Sequence, residues 1–191
     1  MVSKKEANRG VLYSAFDESN HSRGDIIVGV FSMYLEDILE VKCIRRDYNE
    51  VRKFLADRGR NYRIAILSTL KEFYQTRYNL HLIAPFMIND FLGSQKNTLE
   101  FSKLNLIFDG FPNNKWNKII KENLANRFKS IEISNYWGRK KKRGYPRLLE
   151  AADVTASEVF RGSCKGALNH EKIIRVPAEE LIKRKIRFET L

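Results

Sequence analysis

The sequence predicts an α/β fold built on a mixed sheet, three antiparallel strands followed by α/β units, with helices on its flanks. Two observations predict it. Short apolar runs rich in strand formers crowd the first 44 residues, and from residue 47 the apolar spacing changes from two to three and four. A third observation places the later units: the compact run Leu104-Asn105-Leu106-Ile107-Phe108 precedes an amphipathic segment, as a buried strand precedes its crossover helix.

Residues 11–16 form a short apolar strand that is expected to end at Asp17-Glu18-Ser19-Asn20, with a turn running to Gly24. Residues 25–32 are almost all apolar and predict a central strand. Residues 38–44 alternate apolar and polar and predict the third strand of an antiparallel meander. Asp47, with Glu50 three residues on, has the spacing of a capping box, and Gly59 supplies a stop, so a helix is expected between them. Apolar residues recur at three and four over 62–78, which predicts a second helix; Ile64 to Leu67 would alternatively open as a strand. Pro85 is expected to break the apolar stretch 80–92 and leave a short helix after it. A polar connection (94–103) leads to the strand 104–108. Asn113 and Asn114 cap a helix with Trp116, Ile119, Ile120 and Leu124 on its apolar side. A short strand follows at 131–134, then the basic run Arg139-Lys140-Lys141-Lys142-Arg143. Tyr145-Pro146 introduces a helix over 147–161, stopped by Gly162. A strand at 172–176 and a short basic helix after Pro177 complete the chain.

With 191 residues, 43% of them hydrophobic, the chain suits one domain. Residues 1–10 read as a flexible basic tail. Residues 11–191 read as the domain, with 165–191 a C-terminal appendage. Lys and Arg number 35 against 23 Asp and Glu, a net charge of +12, which favours an acidic partner such as nucleic acid. Cys43 and Cys164 are the only cysteines, and their setting suggests neither a zinc site nor a disulfide framework. No apolar stretch approaches the roughly 20 residues of a membrane span, and the opening residues lack the apolar centre of a signal peptide. A cytoplasmic protein with no membrane partner is the expectation; a homo-oligomer stays open.

The sharper signal is the placing of acids. Asp17 directly follows the first apolar strand, and Asp109 follows Leu104–Phe108 in the same way. Carboxylates at the ends of neighbouring buried strands converge at one edge of a sheet. Asp153 lies on an otherwise apolar helical face, where an acid is costly unless it is paired or holds a metal. Two divalent ions roughly 4 Å apart activate a water for in-line attack and stabilise the leaving oxygen of a phosphodiester. Hard oxygen ligands suit Mg²⁺ or Mn²⁺, and the sequence has no dense His/Cys set to suggest zinc. Other readings remain for each acid. Asp17 can cap a turn, Asp109 can cap the following helix, and Asp153 can pair with Arg147. Glu50 and Glu72 stand in reserve for Glu18, and Glu150 can join Asp153 from one turn before it.

Phe16-Asp17-Glu18-Ser19 resembles the Asp-Glu pair that ends the first strand of type 2 ribonucleases H. It is more similar still to a large group of prokaryotic ribonuclease H-like proteins that open on Asp-Glu-Ser. Their late helix of the form Leu-Leu/Gln-x-Ala-Asp-x-x-Ala is similar to Leu148-Leu149-Glu150-Ala151-Ala152-Asp153-Val154-Thr155-Ala156. Between the two they carry an Asp at a strand end, as in Leu106-Ile107-Phe108-Asp109-Gly110. The three motifs occur here in that order across residues 11–161. The resemblance implies a ribonuclease H-like mixed sheet, a divalent-metal-dependent nuclease, and Asp17, Glu18, Asp109 and Asp153 as catalytic metal ligands. It does not extend to the glycine-rich turn of the type 2 enzymes, since Ser19-Asn20-His21-Ser22-Arg23-Gly24 lacks most of that pattern.

Arg139, Lys140, Lys141, Lys142 and Arg143, just before the helix of Asp153, are expected to contact phosphate, and His21 is a further candidate for nucleic-acid contact. A solvated charge run and a plain turn histidine are the alternatives. The function expected is hydrolysis of nucleic acid with a single strand of DNA or RNA favoured, possible exonuclease action, and Mg²⁺ or Mn²⁺ as cofactor. A nucleic-acid-binding protein of the same fold without activity is the rival reading.

Overall fold

The computed structural model describes residues 10–19, 26–41, 48–56, 59–66, 79–95, 101–109, 114–136, 145–162 and 172–174. Strand β1 (Val11–Ser19) is buried at all but Val11 and Glu18, and β2 (Ile26–Ser32) is buried throughout. Strands buried on both faces lose the polar alternation of a surface strand, which is why their sequences read as continuous apolar runs. β2 pairs antiparallel with β1, from Tyr13 opposite Ser32 to Ser19 opposite Ile26. On its other side β2 pairs antiparallel with β4 (Arg60–Ile66). β5 (Lys103–Phe108) lies parallel to β1, and β6 (Ser130–Asn135) parallel to β5. β8 (Ile173–Ile174), from the expected appendage, adds to β4, giving the order β6-β5-β1-β2-β4-β8. A three-strand meander followed by two strands parallel to its first is the ribonuclease H-like arrangement.

Helices cover both faces. α2 (Asn79–Ser94) and α3 (Asn114–Leu124) pack on one, against Leu12, Phe16, Phe31 and Phe108. α1 (Tyr48–Leu55) and α4 (Arg147–Arg161) pack on the other, against Tyr13, Ala15, Val28 and Ile107. Close approach is built in on each face. Gly29 lies opposite Phe16 in register, and a Cβ there would stand 2.5 Å from the Phe16 ring. The buried face of α4 includes Ala151, Ala152 and Ala156, whose small side chains let its backbone settle over β1 and β2. Gly162 ends α4 in the left-handed conformation, φ 70°, as its sequence position predicts. Among the described residues no helix is long and apolar enough to cross a membrane.

Four expectations are corrected. The first strand does not stop at Asp17 but runs on through Asp17 and Glu18 to Ser19, carried by its pairing with β2. The third strand of the meander is β4, not residues 38–44. A 3-10 turn (Leu35–Ile38) and a two-residue strand β3 (Glu40–Val41), paired with β7 (Tyr145–Pro146), stand at the start of that region. The cause lies in two arginines that made β4 look polar. Arg60 is buried because Asp37 binds it through Nε (2.6 Å) and Nη2 (2.8 Å), and Arg63 because it pairs with Asp90. Consequently residues 60–66 are strand, not helix, and the helix expected over 62–78 is displaced from its first turn; residues 67–78 lie outside the described residues. Finally, α2 runs unbroken through Pro85. Tight apolar burial along α2 outweighs the one backbone hydrogen bond that proline removes.

Candidate active site

Register brings the acids together. The β1–β5 ladder ends with Phe16 opposite Phe108, and the next residue on each strand is an aspartate, Asp17 and Asp109. The Asp109 N–H donates to the Phe16 carbonyl at 3.2 Å, extending the ladder to that point. Side chains alternate across a sheet. Asp17 therefore follows Tyr13 and Ala15, and Asp109 follows Ile107, toward the face that α4 covers. Asp17 is 1% exposed, and its Oδ1 accepts the Glu18 N–H at 2.8 Å. Asp109 is half-buried.

α4 brings Asp153 over this edge, half-buried among Ala151, Ala152 and Val154. The alternative pairing of Asp153 with Arg147 is disfavoured by helix geometry, since six residues separate them by about 9 Å along the axis. The Arg147 guanidinium instead lies over the Phe54 ring, 4.8 Å from its centroid. Glu150 is half-buried one turn before Asp153, and Glu50 is exposed on α1.

Tyr145 ties the cluster together. Its hydroxyl donates to Asp109 Oδ2 at 2.9 Å. Its titration is pushed well above the ordinary phenol range, first by burial and then by the charges of Asp17, Asp109 and Asp153. Carboxylates from β1, the end of β5 and α4 thus act on one hydroxyl. Glu18 belongs to the same field although strand alternation sends it toward the other face. Burial, and then the charge of Asp109, raise its carboxyl from 4.5 to about 7. Sequence reasoning did not single out Tyr145 for this place. A signal was available, because a residue directly before a helix-starting proline is held extended and so aims its side chain reproducibly.

The donor set consists of carboxylate oxygens, the ligands that hard divalent cations prefer. Mutual repulsion, visible at Glu18 and Tyr145, is what a cation between such groups relieves. Among the described residues no three His, Cys, Asp or Glu side chains stand close enough to hold an ion as they are. The four acids share an electrostatic field without forming a ready ligand set. Chemically the donor set fits Mg²⁺ or Mn²⁺. The basic run Arg139, Lys140, Lys141, Lys142 and Arg143, together with His21 and Glu72, lies outside the described residues.

On the opposite face, beneath Phe108, lies a histidine that sequence reasoning left without a role. His81, 6% exposed, stacks on Phe108 with centroids 4.5 Å apart, and among the described residues neither ring nitrogen has a hydrogen-bond partner. It lines a crevice between α2 and α3 with Pro85, Trp116 and Asn123, and burial lowers its pKa from 6.5 to about 4.

No family model and no curated protein sequence matches the chain. Solved structures do align with it over most of its length. One is of the complex of PCNA with ribonuclease HII from Archaeoglobus fulgidus. The aligned chain is 12% identical, and the alignment covers 94% of this chain and 91% of that one, with a TM-score of 0.46. Another is ribonuclease H2 from Pyrococcus horikoshii OT3, 11% identical, covering 94% of this chain and 89% of that one, with a TM-score of 0.47.

Proposed function

We propose that this chain is a divalent-metal-dependent nuclease that hydrolyses phosphodiester bonds of nucleic acid, with Asp17, Glu18, Asp109 and Asp153 holding Mg²⁺ or Mn²⁺. The observation that carries this reading is the β1–β5 register, which sets Asp17 and Asp109 on neighbouring strands, both on the face covered by α4, the helix of Asp153. Buried like charges are costly, and a protein that gathers them needs a compensating cation or proton. A bound divalent cation supplies charge neutralisation and activation of water for attack on phosphorus. Asp17 and Asp109, on neighbouring strands, would hold it from the sheet, and Asp153 would hold it from α4. Glu18, whose carboxyl burial and the charge of Asp109 raise to about 7, would hold the cation in its ionised form.

The net charge of +12 supports a polyanionic substrate. We assign phosphate contact to the run from Arg139 to Arg143 and to His21, with single-stranded DNA or RNA as the favoured substrate and exonuclease action as the favoured mode. End-labelled single- and double-stranded DNA and RNA, incubated with Mg²⁺, Mn²⁺ or EDTA, test all of this together. Cleavage of single strands in either metal and none in EDTA is expected, with products stepping from one end for an exonuclease. Strands that are bound yet never cut in any divalent metal would instead assign a binding protein on the same fold.

A further inference from the structure

We propose that the outer face of α3, which carries Lys115, Lys118 and Lys121, docks the phosphate backbone of a nucleic-acid strand and holds the length of strand that flanks the acids. The inference rests on the nucleic-acid reading above and adds to it a surface on the face of the sheet opposite α4.

The row begins in the sequence. α3 reads Asn-Lys-Trp-Asn-Lys-Ile-Ile-Lys-Glu-Asn-Leu, with a lysine at every third position from 115 to 121. Ile119, Ile120 and Leu124 are buried in the core, whereas Lys115, Lys118 and Lys121 are all exposed. Each step of three residues climbs about 4.5 Å along the helix and turns about 60° around it, so the ammonium groups spread over the solvent side as a row. Glu122 is the one acid of the helix, and it stands 3.9 Å from Lys118 with both side chains well exposed. A pair so exposed is weak, and phosphate can displace its carboxylate. Past the end of the helix, exposed Arg127 and Lys129 continue the positive charge.

The fold orients the row. β5 ends at Phe108, beside the acids, and β6 starts level with the start of β5, Ser130 opposite Lys103. α3 joins these two parallel strands and therefore runs back from the acid edge of the sheet toward the other edge. The Lys129 N–H, donating to the Ser102 carbonyl at 2.8 Å, completes that return. A polyanion laid along α3 thus has one end at the edge where Asp17 and Asp109 stand. α3 packs on the face away from α4, so its lysines meet phosphates remote from the scissile bond. Contacts of that kind strengthen ground state and transition state alike, which lowers KM and leaves kcat unchanged.

The test is the affinity of a dye-labelled single strand of DNA, measured by fluorescence anisotropy in EDTA over a series of salt concentrations. Lys115→Ala, Lys118→Ala and Lys121→Ala combined should weaken binding roughly 10–100-fold at low salt and reduce the slope of log affinity against log salt by about two. Glu122→Gln releases Lys118 and should tighten binding about 2–5-fold. With Mn²⁺ present, the triple variant should show a raised KM for the strand and the kcat of wild type. Acetylation of the wild-type protein, read by mass spectrometry, checks contact directly: a bound strand should shield Lys115, Lys118 and Lys121. Equal acetylation with and without the strand overturns the inference, and so does an unchanged salt slope in the triple variant; both leave the nuclease reading intact. Loss of binding to phosphatidylserine vesicles but not to strands overturns it in favour of a membrane surface. A wild-type protein that binds no strand at any salt concentration removes both readings.

Discussion

Asp17 and Asp109 occupy the same step of two parallel strands, one residue beyond the last β1–β5 pair, Phe16 and Phe108. Both follow the side-chain alternation toward α4. Asp109→Asn keeps the shape of the side chain and its ability to accept from Tyr145, but removes the charge. Cleavage is expected to fall by at least two orders of magnitude, while affinity for nucleic acid in EDTA stays at the wild-type level, because that affinity comes from Lys and Arg. Undiminished cleavage by this variant would remove Asp109 from the metal site.

Glu18 makes the metal-free protein sensitive to pH in a defined direction. Its carboxyl titrates near 7 in the folded chain against 4.5 for the free group, so the folded state holds the proton more tightly. Stability from this group is fully present below about 4.5 and is lost as pH rises through 7. Glu18→Gln abolishes the titration. In EDTA the variant should be more stable than wild type at pH 8, by at most roughly 3 kcal/mol, with a gap that narrows as the pH falls toward 4.5. Chemical denaturation at pH 5, 6.5 and 8 measures the gap; a gap that is constant with pH counts against the assignment.

His81 predicts the opposite slope. Burial lowers its pKa to about 4, so as pH falls from 6.5 toward 4 the unfolded chain takes up a proton that the folded chain refuses, and stability is lost. His81→Phe keeps a flat ring on Phe108 and removes two buried nitrogens that have no partner among the described residues. A gain on the order of 1–3 kcal/mol at pH 7 is expected, together with a shallower loss of stability in acid. Loss of stability at pH 7 would mean that the nitrogens have a partner in solution, an ordered water being the simplest.

Far from the acids, at the Ser32 end of β2, Asp37 receives Arg60 through two hydrogen bonds and Ser32 Oγ through a third at 2.6 Å. Neither charged side chain exceeds 2% exposure. Asp37→Ala leaves the guanidinium buried without its carboxylate and should cost about 3–5 kcal/mol. Asp37→Ala combined with Arg60→Met should recover a large part of that loss, since no charge is then stranded. Thermal melts of the three proteins decide this, and a double variant no better than the single one would contradict it.

The central strands were legible in the sequence because burial on both faces leaves a run such as Ile26–Ser32 with almost no polar interruption. The acids at Asp17 and Asp109 were legible for the same reason, as abrupt changes at the ends of such runs. β4 was not, because Arg60 and Arg63 are buried through partners at Asp37 and Asp90, 23 and 27 residues away in the chain. No local pattern encodes a pairing of that range. The continuity of α2 through Pro85 was hidden likewise, since apolar packing against the sheet decides it. Tyr145 shows the limit most clearly. Its place depends on β3, two residues long, and on a hydrogen bond to a strand end 36 residues earlier.

Pro85 has no N–H to offer the carbonyl of His81, four residues before it in α2. The opening turn of that helix is held instead by its side chains, for Leu80, Leu82, Ile83 and Ala84 are all buried in the core. His81 rests against Phe108, the residue before Asp109. The candidate site thus has a floor whose shape is set by packing at a carbonyl that proline leaves without its helical partner, so volume changes at His81 should be felt at the end of β5.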